Sequence, residues 1–497
     1  MNVGKILREI VEKRKDEVAF VFKDVEYSYK ILEENVNKYA NFFKDIGVKK
    51  GTKVAIYMFN NPEYIYTYFA IFKNEAIAVP LDHRLKTEEI FPLLNHCGAE
   101  FLVTMPTKEF NPQLIKNNIP SLKNIIITKG EFEGCISLGK VIDNYSTEFP
   151  VLDIDENSIS AIFYTSGTTG IPKGVIWTYK HLDSPIETIC KYYQYFKERD
   201  VCVCPIPFSH NGGIVGVLLI LFDVKVVVME YYHPLELLRN LQKYNVTGIF
   251  LVPTMFIGMM ELKEFEKVQL PNLRWAAVFG APFSPDVIKR FNQVAPNAIL
   301  LSGYGLTESA APNVLPPLEK VKFGSVGKPV PWVEVKIVDA DGVEVPQGEV
   351  GEIIMKGWPI TPGYYNQPEL TAEAIKDGWL YTGDLGKFDE EGYLYIVGRK
   401  KDVIIVGGLN VYATEVEGVI YKHPKVKEVA VVGVPDKMMG EVVKAVIVPK
   451  EGEEITEEEI KTFCKKHLAP YKVPVIIEFR KELPKTGSGK IRKEVLR

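Results

Sequence analysis

The chain has 497 residues, of which 46% are hydrophobic and 25% are charged, a balance typical of globular proteins. This length exceeds what one hydrophobic core supports, so we expect at least two domains. The formal net charge of -4 shows no basic excess and argues against nucleic acid as a partner.

The N-terminal stretch MNVGKILREIVEKRKDE places apolar residues at helical spacing among charges and lacks the apolar core of a signal peptide. The most apolar run, GGIVGVLLILFDVKVVVME, is interrupted by Asp223 and Lys225. It is too short to span a bilayer and predicts a buried helix followed by a buried strand. Six cysteines in 497 residues indicate no disulfide framework. We therefore expect a cytoplasmic protein without a transmembrane segment.

Apolar, strand-like runs alternate with helical patterns over roughly the first 315 residues. TKVAIYMF and EFLVTM, for example, are separated by helical stretches such as NPEYIYTYFAIFK, and the alternation recurs at VKVVVME and VTGIFLVP. Strands that alternate with helices form parallel sheets covered by helices. We expect an α/β fold with two wound αβ subdomains in this region.

The pattern then changes. VEVKIVDADGVEVPQGEVGEIIMKG places Asp-Gly and Gln-Gly turns between alternating runs, which predicts antiparallel hairpins and a small β-barrel. From about residue 400 onward, strand patterns such as VKEVAVVGVP and the helical ATEVEGVIYKH and TEEEIKTFCKKHL predict a compact α+β domain.

The segment YTSGTTGIPKG, residues 164–174, concentrates glycines, hydroxyl side chains and Lys173 between two apolar runs. Glycines allow a tight turn that points backbone N–H groups at one spot. Such a loop suits a polyphosphate, although it does not match G-x-x-x-x-G-K-[ST]. A surface turn is the alternative, and the density of donors argues against it.

The segment SGYGLTE, residues 302–308, lacks the third glycine of a dinucleotide fingerprint because Glu308 stands there. Tyr304 offers an aromatic face that can stack on a base, and Glu308 offers a carboxylate that can hold Mg²⁺ beside phosphates. Taken alone, the segment could equally be a turn at a strand end.

Further along, YTGDLG contains Asp384, which could accept the hydroxyls of a ribose or be an ordinary turn aspartate. The lysines of GRKKD, residues 398–402, taken alone indicate a solvated charge run. PKTGSGKIRK, residues 484–493, either presents Lys490 on a glycine-rich turn or is a frayed basic tail.

His210 stands in PFSHNGG, and a lone histidine is as often structural as functional. Cys202 and Cys204 form C-x-C shortly before it. Zinc needs further ligands and no second cluster appears in the sequence, so we predict buried free thiols on one face of a strand.

In their order and spacing, YTSGTTGIPKG, GYGLTE, YTGDLG, GRKKDVIIVGGLNVYATEVE and PKTGSGK resemble the adenylate-forming superfamily of acyl-CoA synthetases, luciferases and peptide-synthetase adenylation domains. The resemblance covers essentially the whole chain. It implies an N-terminal adenylation domain, residues 1–400, and a small mobile C-terminal lid domain, residues 401–497, that carries a catalytic lysine.

The resemblance implies an AMP-forming acid–thiol ligase that uses ATP, Mg²⁺ and coenzyme A. A carboxylate attacks the α-phosphate of ATP, acyl-AMP forms and pyrophosphate leaves; a thiol then attacks the acyl carbon and AMP is released. Positioning and charge stabilisation dominate such chemistry. The implied partners are a small-molecule carboxylic acid and coenzyme A, and a homodimer is compatible with the family.

Residues matching the family's ATP/AMP site fall into three groups. The loop around the β- and γ-phosphates corresponds to Thr165, Ser166, Gly167, Thr168, Thr169, Gly170 and Lys173. The surroundings of the adenine and the α-phosphate correspond to Gly280, Ala281, Pro282, Ser302, Gly303, Tyr304, Gly305 and Thr307. Asp384 and Arg399 would hold the ribose, and Glu308 would hold Mg²⁺.

The resemblance assigns Lys401 to the hinge, beside the nucleotide, and Lys490 to a bridge between the acyl carboxylate and the α-phosphate. Gly407 and Gly408 would line the path of the pantetheine arm of coenzyme A, because glycine leaves room for a close approach. The catalytic candidates are Lys490, Thr165, His210 and Glu308.

The acyl pocket implied by the resemblance comprises Trp177, Phe208, His210, Asn211, Gly212, Gly213, Phe279 and Ser309. Gly212 and Gly213 are expected to leave space, and no basic residue in this set would pair a second carboxylate. We expect a medium- or long-chain fatty acid as substrate, with an aryl acid of the benzoate or coumarate kind as the alternative.

Two other functions are considered. A stand-alone adenylation enzyme would load a carrier protein, but its amino-acid version usually places an Asp near residue 211, where Asn211 stands. Fatty-acyl-AMP ligases carry an insertion that the compact FGSVGKPVPWVEVKIVDADG lacks. A binding module without catalysis is disfavoured because Lys173, Glu308 and Lys490 are all present. Light emission of the luciferase kind has no positive support.

Overall fold

The computed structural model describes residues 1–106, 110–165, 173–279, 285–485 and 491–497. In chain order, its strands are β1 (Val18–Phe22), β2 (Val25–Ser28), β3 (Lys53–Tyr57), β4 (Ile77–Pro80), β5 (Phe101–Thr104), β6 (Asn124–Ile127), β7 (Ile136–Ser137), β8 (Ile159–Thr165), β9 (Lys173–Thr178), β10 (Val201–Cys204), β11 (Lys225–Val228), β12 (Gly248–Leu251), β13 (Trp275–Val278), β14 (Ile299–Leu301), β15 (Val314–Leu315), β16 (Lys328–Pro329), β17 (Val333–Val338), β18 (Gly351–Gly357), β19 (Ile375–Lys376), β20 (Trp379–Phe388), β21 (Leu394–Arg399), β22 (Val403–Val406), β23 (Leu409–Tyr412), β24 (Val426–Asp436), β25 (Gly440–Pro449) and β26 (Ile476–Phe479).

The α-helices are α1 (Val3–Arg14), α2 (Tyr29–Asp45), α3 (Pro62–Lys73), α4 (Thr87–Cys97), α5 (Pro112–Asn118), α6 (Leu138–Val141), α7 (Ser184–Ile186), α8 (Asn211–Leu219), α9 (Pro234–Lys243), α10 (Pro253–Met260), α11 (Pro285–Val294), α12 (Pro368–Ala374), α13 (Ala413–Ile420) and α14 (Glu457–Lys465). A π-helical turn, Glu187–Tyr192, continues α7, and 3-10 turns such as Thr307–Ser309 lie between several elements.

Two large sheets form the N-terminal part. One has the order β7-β6-β5-β3-β4-β8-β9 and the other the order β14-β13-β12-β10-β11-β1-β2. The neighbours pair in parallel except β8 with β9 and β1 with β2. Helices cover both sheets, so inner strands such as β4 and β12 are buried along their whole length. These sheets are the two wound subdomains predicted from the alternation of strand and helix patterns.

The largest core lies between these sheets and contains α2, α3 and α8. Helix α3 begins where Asn61 accepts the N–H of Tyr64 and Pro62 occupies the first turn. Its residues are buried on every side, as expected for a helix enclosed by two layers. The packing holds the two sheets in a fixed relation, which positions the loops at their strand ends.

The run GGIVGVLLILFDVKVVVME forms a buried helix, α8, followed by a buried strand, β11, as predicted. No helix among the described residues combines the length and the apolar character needed to cross a bilayer. Cys202 and Cys204 are buried and unbridged, and they lie two positions apart on β10. The prediction of free thiols on one strand face is confirmed.

After β14 the chain forms an antiparallel sheet in which β18 pairs β17 and β20, and β20 pairs β19 and β21. The predicted antiparallel pairing is present as one hairpin, β17–β18, whose connection contains both the Asp-Gly and the Gln-Gly turn. The C-terminal unit has strand order β23-β22-β25-β24, with β26 beside β25. Helices α13 and α14 pack on one face of this sheet, and the last residues of the chain pack on the other.

Candidate active site

Loops that follow three parallel strands meet at the junction of the two large sheets. Asn60, after β3, donates from its amide to the carbonyl oxygens of Ile206 (2.9 Å) and Met229 (3.1 Å), which follow β10 and β11. The amide oxygen of Asn60 accepts the N–H of Phe208 at 2.8 Å. Asn60 is 1% exposed, so each of these bonds lies away from water. Ligands of open α/β sheets bind at such carboxyl ends.

An ion cluster follows β4 and reaches His210. Arg84 binds Asp82 through Nε–Oδ1 (2.8 Å) and Nη2–Oδ2 (2.6 Å). His210 Nε2 lies 3.1 Å from Asp82 Oδ2 and 2.9 Å from Arg84 Nη2. Burial opposes ionisation of Asp82, but the bonds from His210 and Arg84 outweigh it and hold the pKa of that carboxyl well below its usual range. The cluster therefore fixes the ring of His210.

The residues predicted for the acyl pocket differ in their placement. His210, Asn211 and Gly212 are partly exposed at the start of α8, and Phe279 is partly exposed after β13. Phe208 is fully buried, and its carbonyl oxygen accepts the hydroxyl of Tyr68 at 2.8 Å. Phe208 therefore anchors the loop before α8.

Trp177 and Ser309 lie in the packing behind the site and not at an open surface. Trp177 is fully buried and its indole N–H donates to the carbonyl oxygen of Thr307 at 2.8 Å. The Ser309 hydroxyl accepts the N–H of Leu306 at 3.0 Å and closes the turn that contains Glu308. Both residues thus support the segment 302–309.

Gly213, near the start of α8, serves close packing, which corrects the expectation that it leaves space. A Cβ atom at Gly213 would lie 2.0 Å from the carbonyl oxygen of Pro207. At Gly212 the nearest atom would be the flexible end of Ile206, at 3.1 Å. The helix approaches the preceding loop because Gly213 has no side chain.

Tyr304 joins two segments that are far apart in sequence. It follows β14, and its hydroxyl donates to Asp384 Oδ2 at 2.8 Å. Arg399 Nε lies 2.8 Å from Asp384 Oδ1, because Asp384 and Arg399 are direct partners in the ladder of β20 and β21. Burial, and next the charge of Asp384, raise the pKa of Tyr304. Tyr304, Asp384 and Arg399, predicted for the adenine and the ribose, are therefore adjacent.

Glu308 is held by the segment 360–365. The Tyr364 hydroxyl donates to Glu308 Oε1 at 3.0 Å, and the N–H of Thr361 donates to the Glu308 carbonyl oxygen at 2.7 Å. The same segment runs beside β9, where Tyr365 N–H donates to the Gly174 carbonyl oxygen at 2.8 Å. The predicted metal ligand is thus connected to the strand that follows the predicted phosphate loop.

Thr165 and Lys173 are opposite one another in the antiparallel pair of β8 and β9. The predicted phosphate-loop residues Ser166, Gly167, Thr168, Thr169 and Gly170 lie outside the described residues, as do Gly280, Ala281 and Pro282. The ammonium of Lys173 lies 5.7 Å from the ring centroid of Tyr364, within cation–π range. Ser302, Gly303 and Gly305 follow β14 together with Tyr304.

In the C-terminal unit, Gly407 and Gly408 form the turn between β22 and β23 with φ values of 57° and 83°. Both are exposed, and these left-handed conformations favour glycine. Lys401 is exposed in the 3-10 turn that precedes β22, and its carbonyl oxygen accepts from Arg497 Nη2 at 2.9 Å. The Gly407–Gly408 turn and Lys401 lie on the C-terminal unit, near its junction with β21.

The described residues on either side of the segment that contains Lys490 are packed, so they do not form a frayed tail. Lys485 pairs with Ile491 in an antiparallel bridge, and the N–H of Arg492 donates to the Pro484 carbonyl oxygen at 2.8 Å. Leu496 is 1% exposed against β24 and β25. Lys490 itself lies outside the described residues.

Sequence reasoning missed Asn60, Asp82, Arg84, Thr361 and Tyr364. The available signals were DHR directly after an apolar strand and TPGYY before a helix. Neither motif has a glycine-rich or metal-ligand spacing. The residues that they contact can be identified only in the structure, where distant strands pair.

Comparisons with known proteins agree with this geometry. The family described as AMP-binding enzyme matches residues 7–365, and the AMP-binding enzyme C-terminal domain matches residues 415–490. A long-chain-fatty-acid–CoA ligase of Escherichia coli O6:H1 is 32% identical, with 99% of this chain and 93% of that protein covered. A feruloyl-CoA synthase of an Amycolatopsis species is 34% identical, with 95% and 93% covered.

Among solved structures, an anthranilate CoA ligase in complex with anthranoyl-AMP superposes with a TM-score of 0.92 at 28% identity. The superposition covers 100% of this chain and 96% of that one. The fold and these similarities thus define an adenylate-forming enzyme of the acid–thiol ligase class. The chain belongs to the AMP-binding enzyme family, as predicted from its motifs.

Proposed function

We propose that the protein is an AMP-forming acyl-CoA ligase that activates a carboxylic acid with ATP and transfers the acyl group to coenzyme A. The main observation in support of this proposal is the hydrogen-bonded network of Tyr304, Asp384 and Arg399. It unites the residues expected around adenine and ribose in one contact set, close in sequence to the turn that presents Glu308. The relatives that match over the whole chain support the thioester product.

In the first half-reaction, Tyr304 would present its ring to the adenine, and Asp384 would accept the ribose hydroxyls. The bond from Arg399 orients Asp384 for that role. Thr165 and Lys173 frame the loop that would hold the β- and γ-phosphates. Such preorganised groups lower the barrier because they need no rearrangement as charge develops on the departing pyrophosphate.

Glu308 fits a magnesium role, because Mg²⁺ takes one or two carboxylates together with phosphate oxygens. Its side chain is partly exposed, and Tyr364 orients one oxygen. Among the described residues no group of three or more His, Cys, Asp or Glu side chains could hold a metal ion. Bound at Glu308, the ion would neutralise charge on the phosphates.

His210 would border the reacting carboxylate, with its Nε2 bound to Asp82. Ser209 Oγ and Asn211 Oδ1 on either side are buried without a partner in the described part of the chain, so the loop has unused polar atoms. Because Arg84 is bound bidentately by Asp82, its charge is offset. This favours a monocarboxylic acid.

We propose a medium- or long-chain fatty acid as the substrate, supported by the similarity to a long-chain-fatty-acid–CoA ligase. The second candidate is an aryl acid, because relatives of comparable similarity are a feruloyl-CoA synthase and an anthranilate CoA ligase.

The small domain would deliver Lys490 to the acyl carboxylate and the α-phosphate. It contacts the large domain through the Thr414 hydroxyl, which donates to the Val397 carbonyl oxygen, and through Lys427 and Glu261, 3.9 Å apart. A rotation near Lys401 would then withdraw Lys490 and bring Gly407 and Gly408 to the path of the thiol. The superposition with an acyl-adenylate complex supports an arrangement suited to the first step.

The deciding experiment follows pyrophosphate release with ATP, Mg²⁺ and a panel of acids from acetate to palmitate, together with benzoates and coumarates. We expect release with palmitate or with acids of intermediate length, and the aryl alternative predicts release with the benzoates or coumarates instead. No release with any acid would contradict an acid-activating enzyme. Thioester formation on a carrier protein but not on coenzyme A would identify the carrier-loading alternative.

A further inference from the structure

Tyr364 contacts two charged groups that the proposed function places at the phosphates. Its hydroxyl is 3.0 Å from Glu308 Oε1, and its ring centroid is 5.7 Å from the ammonium of Lys173. The side chain is 8% exposed, so water does not compete strongly for the hydroxyl. In this bond the tyrosine hydroxyl donates and the carboxylate oxygen accepts.

The backbone around Tyr364 is fixed on both sides. Ile176 N–H donates to the Gly363 carbonyl oxygen at 3.1 Å, and Tyr364 N–H donates to the Thr371 hydroxyl oxygen at 2.9 Å. The Thr361 hydroxyl donates to the Ile176 carbonyl oxygen at 2.7 Å. The ring therefore has little freedom, and its hydroxyl defines where Glu308 Oε1 lies.

The same segment also holds the main chain of Glu308. Thr361 N–H donates to the Glu308 carbonyl oxygen at 2.7 Å. One stretch of chain thus fixes Glu308 at its backbone and at one carboxylate oxygen. The second oxygen, Oε2, then has a defined direction.

We propose that Tyr364 is a positioning residue for the metal–nucleotide complex: it binds Glu308 Oε1 so that Oε2 is directed at the metal ion that accompanies ATP. This rests on the proposed function, in which Glu308 is the metal ligand. Groups that hydrogen-bond to a metal ligand commonly change metal affinity by about 10- to 100-fold when removed. A loss of metal affinity of this size therefore distinguishes a positioning role of Tyr364 from a contribution to folding.

The test compares Tyr364→Phe with Tyr365→Phe. The first change removes the hydroxyl that binds Glu308 and keeps the ring near Lys173; the second removes a hydroxyl from the neighbouring tyrosine. Pyrophosphate release is measured against Mg²⁺ concentration at saturating ATP and acid. We expect the Mg²⁺ concentration for half-maximal rate to rise about tenfold or more in Tyr364→Phe and to stay near the wild-type value in Tyr365→Phe.

A second measurement does not depend on turnover. Binding of Mn²⁺ in the presence of ATP and absence of acid is followed by electron paramagnetic resonance of the free ion. Tyr364→Phe should weaken Mn²⁺ binding by about the same factor as the activity shift, while ATP binding without metal stays unchanged. In a Glu308→Gln background the tyrosine substitution should have no further effect on Mn²⁺ binding.

The outcomes separate the two proposals. If the wild type releases pyrophosphate and Tyr364→Phe matches Tyr365→Phe in both metal measurements, the positioning role is overturned and the proposed function stands. If no acid supports release, the proposed function fails, and the Mn²⁺ measurement still decides the role of Tyr364. If Tyr364→Phe weakens metal-free ATP binding as much as it weakens Mn²⁺ binding, Tyr364 supports the site as a whole and does not position the metal ligand.

Discussion

Asp82 stands at the centre of the polar contacts around His210. Its carboxylate receives two bonds from Arg84 and lies 3.1 Å from His210 Nε2. Removing one member of a part-buried charged group leaves the others without compensation. Asp82 should therefore matter for the orientation of His210 more than for the nucleotide.

We predict that Asp82→Asn raises the KM for the acid, or lowers kcat with it, by about tenfold, which corresponds to roughly one charge-assisted hydrogen bond. The KM for ATP should change by less than about twofold, because Tyr304 and Asp384, proposed to contact the nucleotide, lie on other elements. Initial rates of pyrophosphate release, varied in each substrate, provide the measurement. Equal increases in both KM values would show that the cluster supports the whole site and not His210.

At the scale of elements, helix α8 approaches the loop before it through glycines. Gly213 has backbone atoms where a Cβ would be, whereas Gly212 faces only the end of Ile206. A contact with backbone cannot be relieved by a rotamer change, but a contact with a side-chain end can.

Gly213→Ala should therefore destabilise the protein by about 2 kcal/mol or more, as overpacking against backbone does. Gly212→Ala is the matched control and should cost less than about 1 kcal/mol. Thermal unfolding of the two variants beside the wild type gives the answer. A similar shift in both variants would contradict the packing explanation.

His181 connects β9 to the segment 360–365. Its Nδ1 accepts the N–H of Thr178 at 2.8 Å, and its Nε2 lies 3.2 Å from the Ile360 carbonyl oxygen. Burial lowers the pKa of His181 to about 4, and the bond to Ile360 opposes that shift only in part. The ring is therefore neutral in the folded protein, with the proton on Nε2.

This shift predicts a stability change with pH. The unfolded chain takes up a proton near pH 6.5 and the folded one near pH 4. The stabilisation from neutral His181 is fully present above about pH 6.5 and is lost as pH falls towards 4, by on the order of 2–3 kcal/mol. The unfolding temperature of His181→Gln should fall less steeply between pH 7 and 5 than that of the wild type. Parallel pH profiles would exclude His181 as the titrating group.

At the scale of the whole molecule, the C-terminal tail is part of the small domain. Leu483 and Leu496 pack on the face of β24 and β25 opposite α13 and α14. The flanks of the motif around Lys490 would therefore move with the small domain in the proposed rotation. Under that proposal, this packing would bring Lys490 to the site and take it away again.

We predict that Lys490→Ala lowers adenylation by about 10² to 10³ or more, as removal of a preorganised charge stabiliser does. Thioester formation from supplied acyl-AMP should be far less affected, because the α-phosphate has already reacted. Arg492→Ala is the control for altered charge in the tail. Equal loss of both half-reactions would contradict the proposed division of work between the two steps.

The sequence by itself determined the fold class, because the fold class depends on local pattern. Alternating apolar runs predicted both wound sheets, and the Asp-Gly and Gln-Gly turns predicted the antiparallel sheet. Glycines at φ values of 57° and 83° in VGGLN could be anticipated, since a turn between adjacent strands imposes them locally.

Only the tertiary structure decided which distant residues touch. Tyr364 reaches Glu308, and Asp82 reaches His210, across 56 and 128 positions of sequence. Such pairs depend on strand order and loop geometry, and no local periodicity encodes them. The same reason explains Trp177 and Gly213, which the resemblance assigned to a pocket. The packing of β9 buries the side chain of Trp177, and the packing of α8 brings Gly213 against the backbone of the preceding loop.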